Sequence, residues 1–296
     1  LALFILLIIY FFPNNDTIIK EHLNYIKRDE MPIFLIDNSN YVARTSIVKS
    51  SKNINEQIKE IIETLTKNSK KSSYIRDGFK PIIPQNTKVI DVLLDNEILT
   101  INFSKELLNI DKDNEEKMIE AIIYSLTEIK EIKKIKILVE NNPLTKLPNS
   151  QKKLPDYLDK NYGINKIYNL DSIKESTKTT IYYLSKFQDY HYFVPVTKIN
   201  NEKTEKVEII IKELKSTPIY QTNLISYLAA SANITNYELL ENGIKLSFNN
   251  YLIANIKEEE ALEEVKYSIA LSLRDTYGIN EVIFSIPNNE NTKINV

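Results

Sequence analysis

The sequence predicts an α+β protein made of two tandem copies of one small unit. Each copy is ordered β-β-α-β-β-α-β, with two helices on one face of a mainly antiparallel sheet. Three observations predict it: segments recur at a nearly constant spacing, apolar residues alternate in the clearest of them, and each copy holds two stretches with apolar residues at helical steps. Leu99-Thr100-Ile101-Asn102-Phe103-Ser104 returns as Ile244-Lys245-Leu246-Ser247-Phe248-Asn249, carrying residue 103 onto residue 248, an offset of 145. At that offset Ser125-Leu126-Thr127 meets Ala270-Leu271-Ser272. Further on, Lys134 to Ile137 meets Glu281 to Phe284, and both segments run into an asparagine pair, Asn141-Asn142 and Asn288-Asn289.

Each copy opens with two strands, at 33–36 and 41–48 in the first and at 181–184 and 190–197 in the second, separated by polar turn residues. A helix follows. In the first copy Ile54, Ile58, Ile61 and Leu65 recur at steps of four, three and four; Val207, Ile210, Ile211 and Leu214 do so in the second. Next comes a hairpin whose second strand alternates Leu99, Ile101 and Phe103 with polar residues, the pattern of a strand with one face in the core and one in water. Asn242-Gly243 predicts a type I′ turn before the equivalent strand. The second helix has Asp113 and Glu116 at capping-box spacing and the stripe Met118, Ile122, Leu126, Ile129. Its partner opens on Glu258, Glu259 and Glu260, which suit a helix N-terminus, and carries Leu262, Val265, Ile269 and Leu273. A last strand closes each copy.

The expected organisation is therefore a truncated N-terminal membrane anchor or signal at 1–13, a juxtamembrane segment at 14–30, a first domain at 31–142, a linker at 143–178 marked by Pro143, Pro148 and Pro155, and a second domain at 179–296. The anchor rests on Leu1 to Phe12, an unbroken apolar run that ends at Pro13. Twelve helical residues span roughly 18 Å against about 30 Å of hydrocarbon, so the run needs an upstream piece to cross a bilayer. The uncharged and acidic residues that follow, Asn14, Asn15 and Asp16, place the remaining chain outside the cell.

Composition excludes several functions. The 38 basic and 40 acidic residues leave a net charge of −2, well mixed along the chain, so nothing favours nucleic acid. With no cysteine there is no disulfide, thiolate metal site or cysteine nucleophile. The four glycines, Gly78, Gly163, Gly243 and Gly278, are too scattered for a phosphate-cradling loop. His22 and His191 stand alone, far from ligand spacing. The glutamates at 258–260, 263 and 264 diverge around a helix, and the acids of 111–115 lack the glycine of a calcium loop. No catalytic residue, metal site or cofactor is expected. Tyr182, Tyr190 and Tyr192, clustered on the opening hairpin of the second copy, are the candidate interaction surface, because tyrosine is enriched where proteins meet.

The second copy's Tyr192-Phe193-Val194-Pro195-Val196-Thr197, the hairpin ending Asn102-Phe103-Ser104, and the helix end Tyr124-Ser125-Leu126-Thr127-Glu128 together resemble the GerMN domain, a sporulation and spore-germination domain. The second copy departs from that helix end, showing Ile269-Ala270-Leu271-Ser272-Leu273 at the offset of 145. The resemblance covers about 260 residues, counted over both copies. It implies a fold similar to ring-building motifs and a membrane-anchored, extracytoplasmic protein. The function expected is a non-enzymatic assembly scaffold in a sporulation-type envelope complex. Its partners would be envelope or sporulation proteins, or further copies of itself, with the membrane reached through the N-terminal segment. The alternative is a module that binds cell-wall peptidoglycan.

Overall fold

The computed structural model describes residues 29–171, 175–216, 223–249, 259–286 and 291–296. The expected anchor at 1–13, all but the end of the juxtamembrane segment, His22, Glu258 and the Asn288-Asn289 pair lie outside them. Among the described residues no helix is long and apolar enough to cross a membrane.

The fold is mixed α+β with mainly antiparallel sheets, and both copies follow the expected order. The first runs β1 (Glu30–Asp37), β2 (Val42–Val48), α1 (Ile54–Leu65), a short β3 (Phe79–Lys80), β4 (Val89–Asp95), β5 (Ile98–Phe103), α2 (Glu115–Leu126), β6 (Lys134–Val139) and β7 (Asn142–Pro143). After β8 (Ile167–Asn169), the second runs β9 (Thr177–Phe187), β10 (Tyr190–Asn200), α3 (Lys206–Lys215), β11 (Ile234–Leu239), β12 (Gly243–Phe248), α4 (Glu259–Tyr277), β13 (Glu281–Ser285) and β14 (Thr292–Asn295).

The strands of each copy divide between two sheets. β4-β5-β6-β7 and β11-β12-β13-β14 are separate four-stranded sheets, each with one parallel pair, β5 with β6 and β12 with β13. A helix spans each parallel pair, as such a connection requires. The opening hairpins β1–β2 and β9–β10 join instead in one sheet shared by both copies, ordered β3-β1-β2-β10-β8 with β9 on β10.

The periodic residues fill two cores. Ile58, Ile61, Leu65, Leu99, Ile101, Phe103, Met118, Ile122 and Leu126 are buried in the first. Val207, Ile210, Leu214, Ile244, Leu246, Phe248, Val265, Ile269 and Leu273 are their counterparts in the second. Each such side chain stabilises the fold by about 1.5–3 kcal/mol relative to an exposed one.

Four local expectations change. The capping box does not form: α2 begins after Asn114 with no side-chain cap. Glu115 instead accepts from the Asn149 and Ser150 amides at 2.8 and 2.9 Å, and Glu116 pairs with Lys152 and Lys166. The type I′ turn is found in the first copy, where Asn96 and Glu97 both take positive φ (48° and 63°) between β4 and β5. Gly243 does not adopt positive φ; it is needed because a Cβ there would stand 2.7 Å from the Glu281 carbonyl oxygen. Asn102, expected on a wet face, is buried, holding Asn141 through two hydrogen bonds of 2.8 and 3.0 Å. The stretch expected as a linker carries Leu147, Leu154, Leu158 and Ile164 into the first core.

One matched pair corrects the repeat alignment. The Phe34 amide of β1 donates to Ser125 Oγ on α2 at 2.9 Å, and the Tyr182 amide of β9 donates to Ser272 Oγ on α4 at 2.8 Å. Residue 125 therefore corresponds to residue 272, an offset of 147, two more than the hairpin strands suggested and equal to the offset that carries Lys134 onto Glu281. On that alignment Tyr124-Ser125-Leu126-Thr127-Glu128 matches Leu271-Ser272-Leu273-Arg274-Asp275, and the second copy keeps the serine, the leucine and the final acid. Ser125→Ala and Ser272→Ala should each cost about 1–3 kcal/mol, because each leaves a buried strand amide without its acceptor. Urea-unfolding midpoints of the two variants check this; a loss in only one would undo the equivalence.

Candidate functional site at the seam between the two copies

The copies meet along β2 and β10, which run antiparallel and pair at Arg44 and Phe193. Beyond that bridge β10 is paired by β8, from the stretch between the copies. Asn165, just before β8 and at φ 45°, fastens both copies at once. Its Nδ2 donates to the Val42 and Pro195 carbonyls at 2.8 and 2.7 Å, and its Oδ1 accepts from the Val42 amide at 2.9 Å. Asparagine suits the position because it tolerates the left-handed region and offers both a donor and an acceptor.

Next to this bridge lies a buried ionic cluster. Glu128, just past the end of α2, accepts from Arg274 Nη1 and Nη2 at 2.9 and 2.7 Å, a bidentate pair between the copies. Its structural counterpart Asp275, in the last turn of α4, accepts from Arg274 Nε at 2.8 Å and from the Tyr182 hydroxyl at 2.5 Å. Lys160 sits between the two acids, 2.8 Å from each, and Arg44 Nη2 stands 3.9 Å from Glu128. The Glu128 and Asp275 side chains are 6% and 1% exposed. The duplication thus brings an acid from each copy to one place, and cations from three segments neutralise them. Cations also suit this spot because α2 and α4 both end here and helix C-termini are negative.

Burial pushes the Glu128 carboxyl up, but Lys160, Arg274 and Arg44 together outweigh it and hold it well below the usual carboxylate range. Asp275 shows the same balance: burial raises it, Arg274 and Lys160 lower it further, and it too ends below its ordinary value. Burial, followed by Asp275, raises the Tyr182 hydroxyl, which stays a donor. A second contact between the copies lies across the hairpins, where Tyr192 Oη donates to the buried Asp37 Oδ2 at 2.9 Å. Burial raises the Tyr192 hydroxyl to about 12 and raises Asp37 above its usual value.

These positions overturn most of the expected interaction surface. Tyr182 and Tyr192 are 0% and 3% exposed, so neither can meet an external partner. Tyr182 lies beneath α4, and Tyr192 packs edge-on against Phe79 at 4.8 Å. Tyr190 alone is partly exposed, with the Arg76 guanidinium 4.0 Å over its ring. His191 bonds Glu264 at 2.6 Å. Among the described residues no group of three His, Asp or Glu comes together to hold a metal. Sequence reasoning missed Glu128, Lys160, Arg274 and Asp275. The signal was the acid that ends both Ser-Leu helix motifs, visible only when the copies are aligned at 147.

A cleft of about 640 Å³ opens beside the ionic cluster, walled by the helix-to-strand connections of both copies. Two of its acids are saturated: Glu128 faces Lys160, Arg274 and Arg44, and Asp275 holds Lys160 and Arg274, so neither is free to take a proton from a substrate.

Residues 10–145 match the family described as Sporulation and spore germination. The chain is 26% identical over 257 residues to the spore germination protein GerM of Bacillus subtilis (strain 168), covering 84% of this chain and 69% of that protein. It is also similar in structure to the tandem GerMN domains of the sporulation protein GerM from Bacillus subtilis, with a TM-score of 0.77 at 22% identity over 88% of this chain and 92% of that one. The family match over residues 10–145 and the tandem GerMN fold over both copies agree: the first copy matches the sporulation and spore-germination family, and the whole chain is similar in fold to tandem GerMN domains.

Proposed function

We propose that this protein is a non-enzymatic scaffold, anchored in the membrane by its N-terminal segment, that holds partner proteins together outside the cell in a sporulation-type envelope complex. The observation that carries this reading is the seam. A bidentate Arg274–Glu128 pair, the bridging Lys160 and the Asn165 stitch join the two copies into one body. A buried cluster of this kind fixes relative orientation, which a scaffold needs and a pair of loosely linked binding modules does not. Similarity to a spore germination protein supports the setting. The apolar run at 1–12 supports the tether.

A wall-binding role keeps one specific support, though no longer on the opening hairpin. Tyr157 and Tyr168 are 47% and 59% exposed and line a groove of about 610 Å³ together with Tyr162 and Lys153. Aromatic faces beside a cation suit a charged glycan.

One experiment separates the readings. The tagged protein is expressed in a sporulating host, fractionated, cross-linked and recovered, and the purified protein is sedimented with isolated peptidoglycan. Scaffolding predicts a membrane fraction, exposure to external protease and recovery of defined envelope proteins without sedimentation. Recovery from the cytosol with no cross-linked protein would defeat the scaffold reading, and sedimentation lost in Tyr168→Ala would put wall binding in its place.

A further inference from the structure

We propose that the cleft beside the seam receives an acidic peptide segment of a partner protein. The inference rests on the scaffold reading and adds to it a site and a chemistry.

Charge comes first. Arg274 and Lys160 spend their charge on Glu128 and Asp275. The remaining cations on the cleft are Arg44, Lys130, Lys133 and Lys134, opposed by Asp159. The Asp159 carboxylate caps the short turn that follows, accepting from the Asn161 amide at 2.8 Å. Lys130, Lys133 and Lys134 are exposed and form no ion pair among the described residues. A wall of unspent lysines beside a low-dielectric seam attracts anions and focuses their approach.

Unmet hydrogen bonds point the same way. Arg44 Nε is buried with no partner, and so is Thr276 Oγ1; both residues line the cleft, one from each copy. Arg44 faces Glu128 through Nη2 at 3.9 Å, which leaves its Nε–H without an acceptor. A planar guanidinium with a free N–H is suited to a carboxylate, and a hydroxyl beside it to a peptide carbonyl.

The rest of the lining chooses the ligand class. Ile132, Leu271 and Ile279 form an apolar floor, and Tyr267 stands 41% exposed at its edge. A phosphate polymer has nothing to place on such a floor. A peptide with carboxylates flanking an apolar side chain meets both the lysines and the floor, with the arrangement of central apolar anchor and charged rim found where peptides dock. The volume is right for a few residues.

The test uses a fluorescein-labelled peptide of alternating glutamate and leucine, followed by fluorescence anisotropy against the full chain. Its glutamine analogue and inorganic polyphosphate serve as competitors. Binding is expected, weakened about tenfold or more by the triple variant Lys130→Ala, Lys133→Ala, Lys134→Ala and by raising salt to ~0.3 M, with little competition from the glutamine analogue. The three lysines are unpaired and exposed, so the variant should fold as the parent does, and unchanged circular dichroism checks it. No binding at low salt up to about 1 mM protein, or equal binding by the triple variant, overturns the proposal. Polyphosphate displacing the peptide at matched charge assigns the cleft to a phosphate polymer and overturns it as well. If the triple variant loses the peptide yet recovers the same envelope proteins after cross-linking, the cleft is not the partner's site, and the scaffold reading survives without it.

Discussion

Glu128→Gln is expected to cost the two-copy body about 3 kcal/mol, because it leaves three cations facing Asp275 alone in a buried place. Its clearest signature is a change in pH dependence. Glu128 and Asp275 both have carboxyls held below their ordinary values in the folded state. A depressed carboxyl contributes stability that is fully present above its unfolded value, about pH 4, and is lost as pH falls toward the folded value. The parent should therefore lose urea resistance steeply below about pH 4, and the variant less so. Asp37 and Glu120 shift the other way, raised chiefly by burial, so their contribution is largest in acid and fades as pH rises. They are present in both proteins and cancel in the comparison. Urea midpoints from pH 7 to pH 2 measure it. Parallel curves for parent and variant would mean that Glu128 is not held in the cluster.

Tyr182→Ala is expected to cost about 3–5 kcal/mol, the penalty for emptying a fully buried aromatic site. Two losses add. The ring packs at 0% exposure against the first core although it belongs to the second copy, and its hydroxyl supplies the 2.5 Å hydrogen bond to Asp275. Tyr182→Phe removes only the second and should cost about 1–2 kcal/mol. Tyr190→Ala, on a partly exposed ring, should change stability by less than about 1 kcal/mol. Thermal and urea unfolding of the three variants give the ranking. A Tyr182→Ala protein as stable as the parent would return that ring to the surface, where the hairpin pattern first suggested it.

These two residues show where local pattern stops. The stripes Met118, Ile122, Leu126 and Val265, Ile269, Leu273 could be read as buried faces because helical spacing places them on one side whatever packs there. Leu99, Ile101 and Phe103 could be read in the same way from their alternation. Tyr182 and Tyr192 could not, because tyrosine suits a core, a sheet and an interface alike. The capping box at Asp113 and Glu116 was a sound local pattern that lost to distant competitors, since Lys152 and Lys166 draw Glu116 away. Arg274 and Glu128 lie 146 residues apart, and no local periodicity joins them. Only the acid repeated at the two helix ends hinted at the cluster, and a two-residue error in alignment hid it.

By itself the sequence determined that there are two copies, the order of elements in each, and which faces turn inward, because those follow from backbone geometry and apolar spacing over a few residues. Tertiary structure alone decided that the opening hairpins join in one sheet, that the stretch around Leu158 and Asn165 packs on both copies, and that two buried counterpart acids share Lys160 at the seam. The physical reason is that burial and charge pairing depend on what lies across a surface, and the groups that meet at this seam, from Arg44 to Asp275, are spread along the chain.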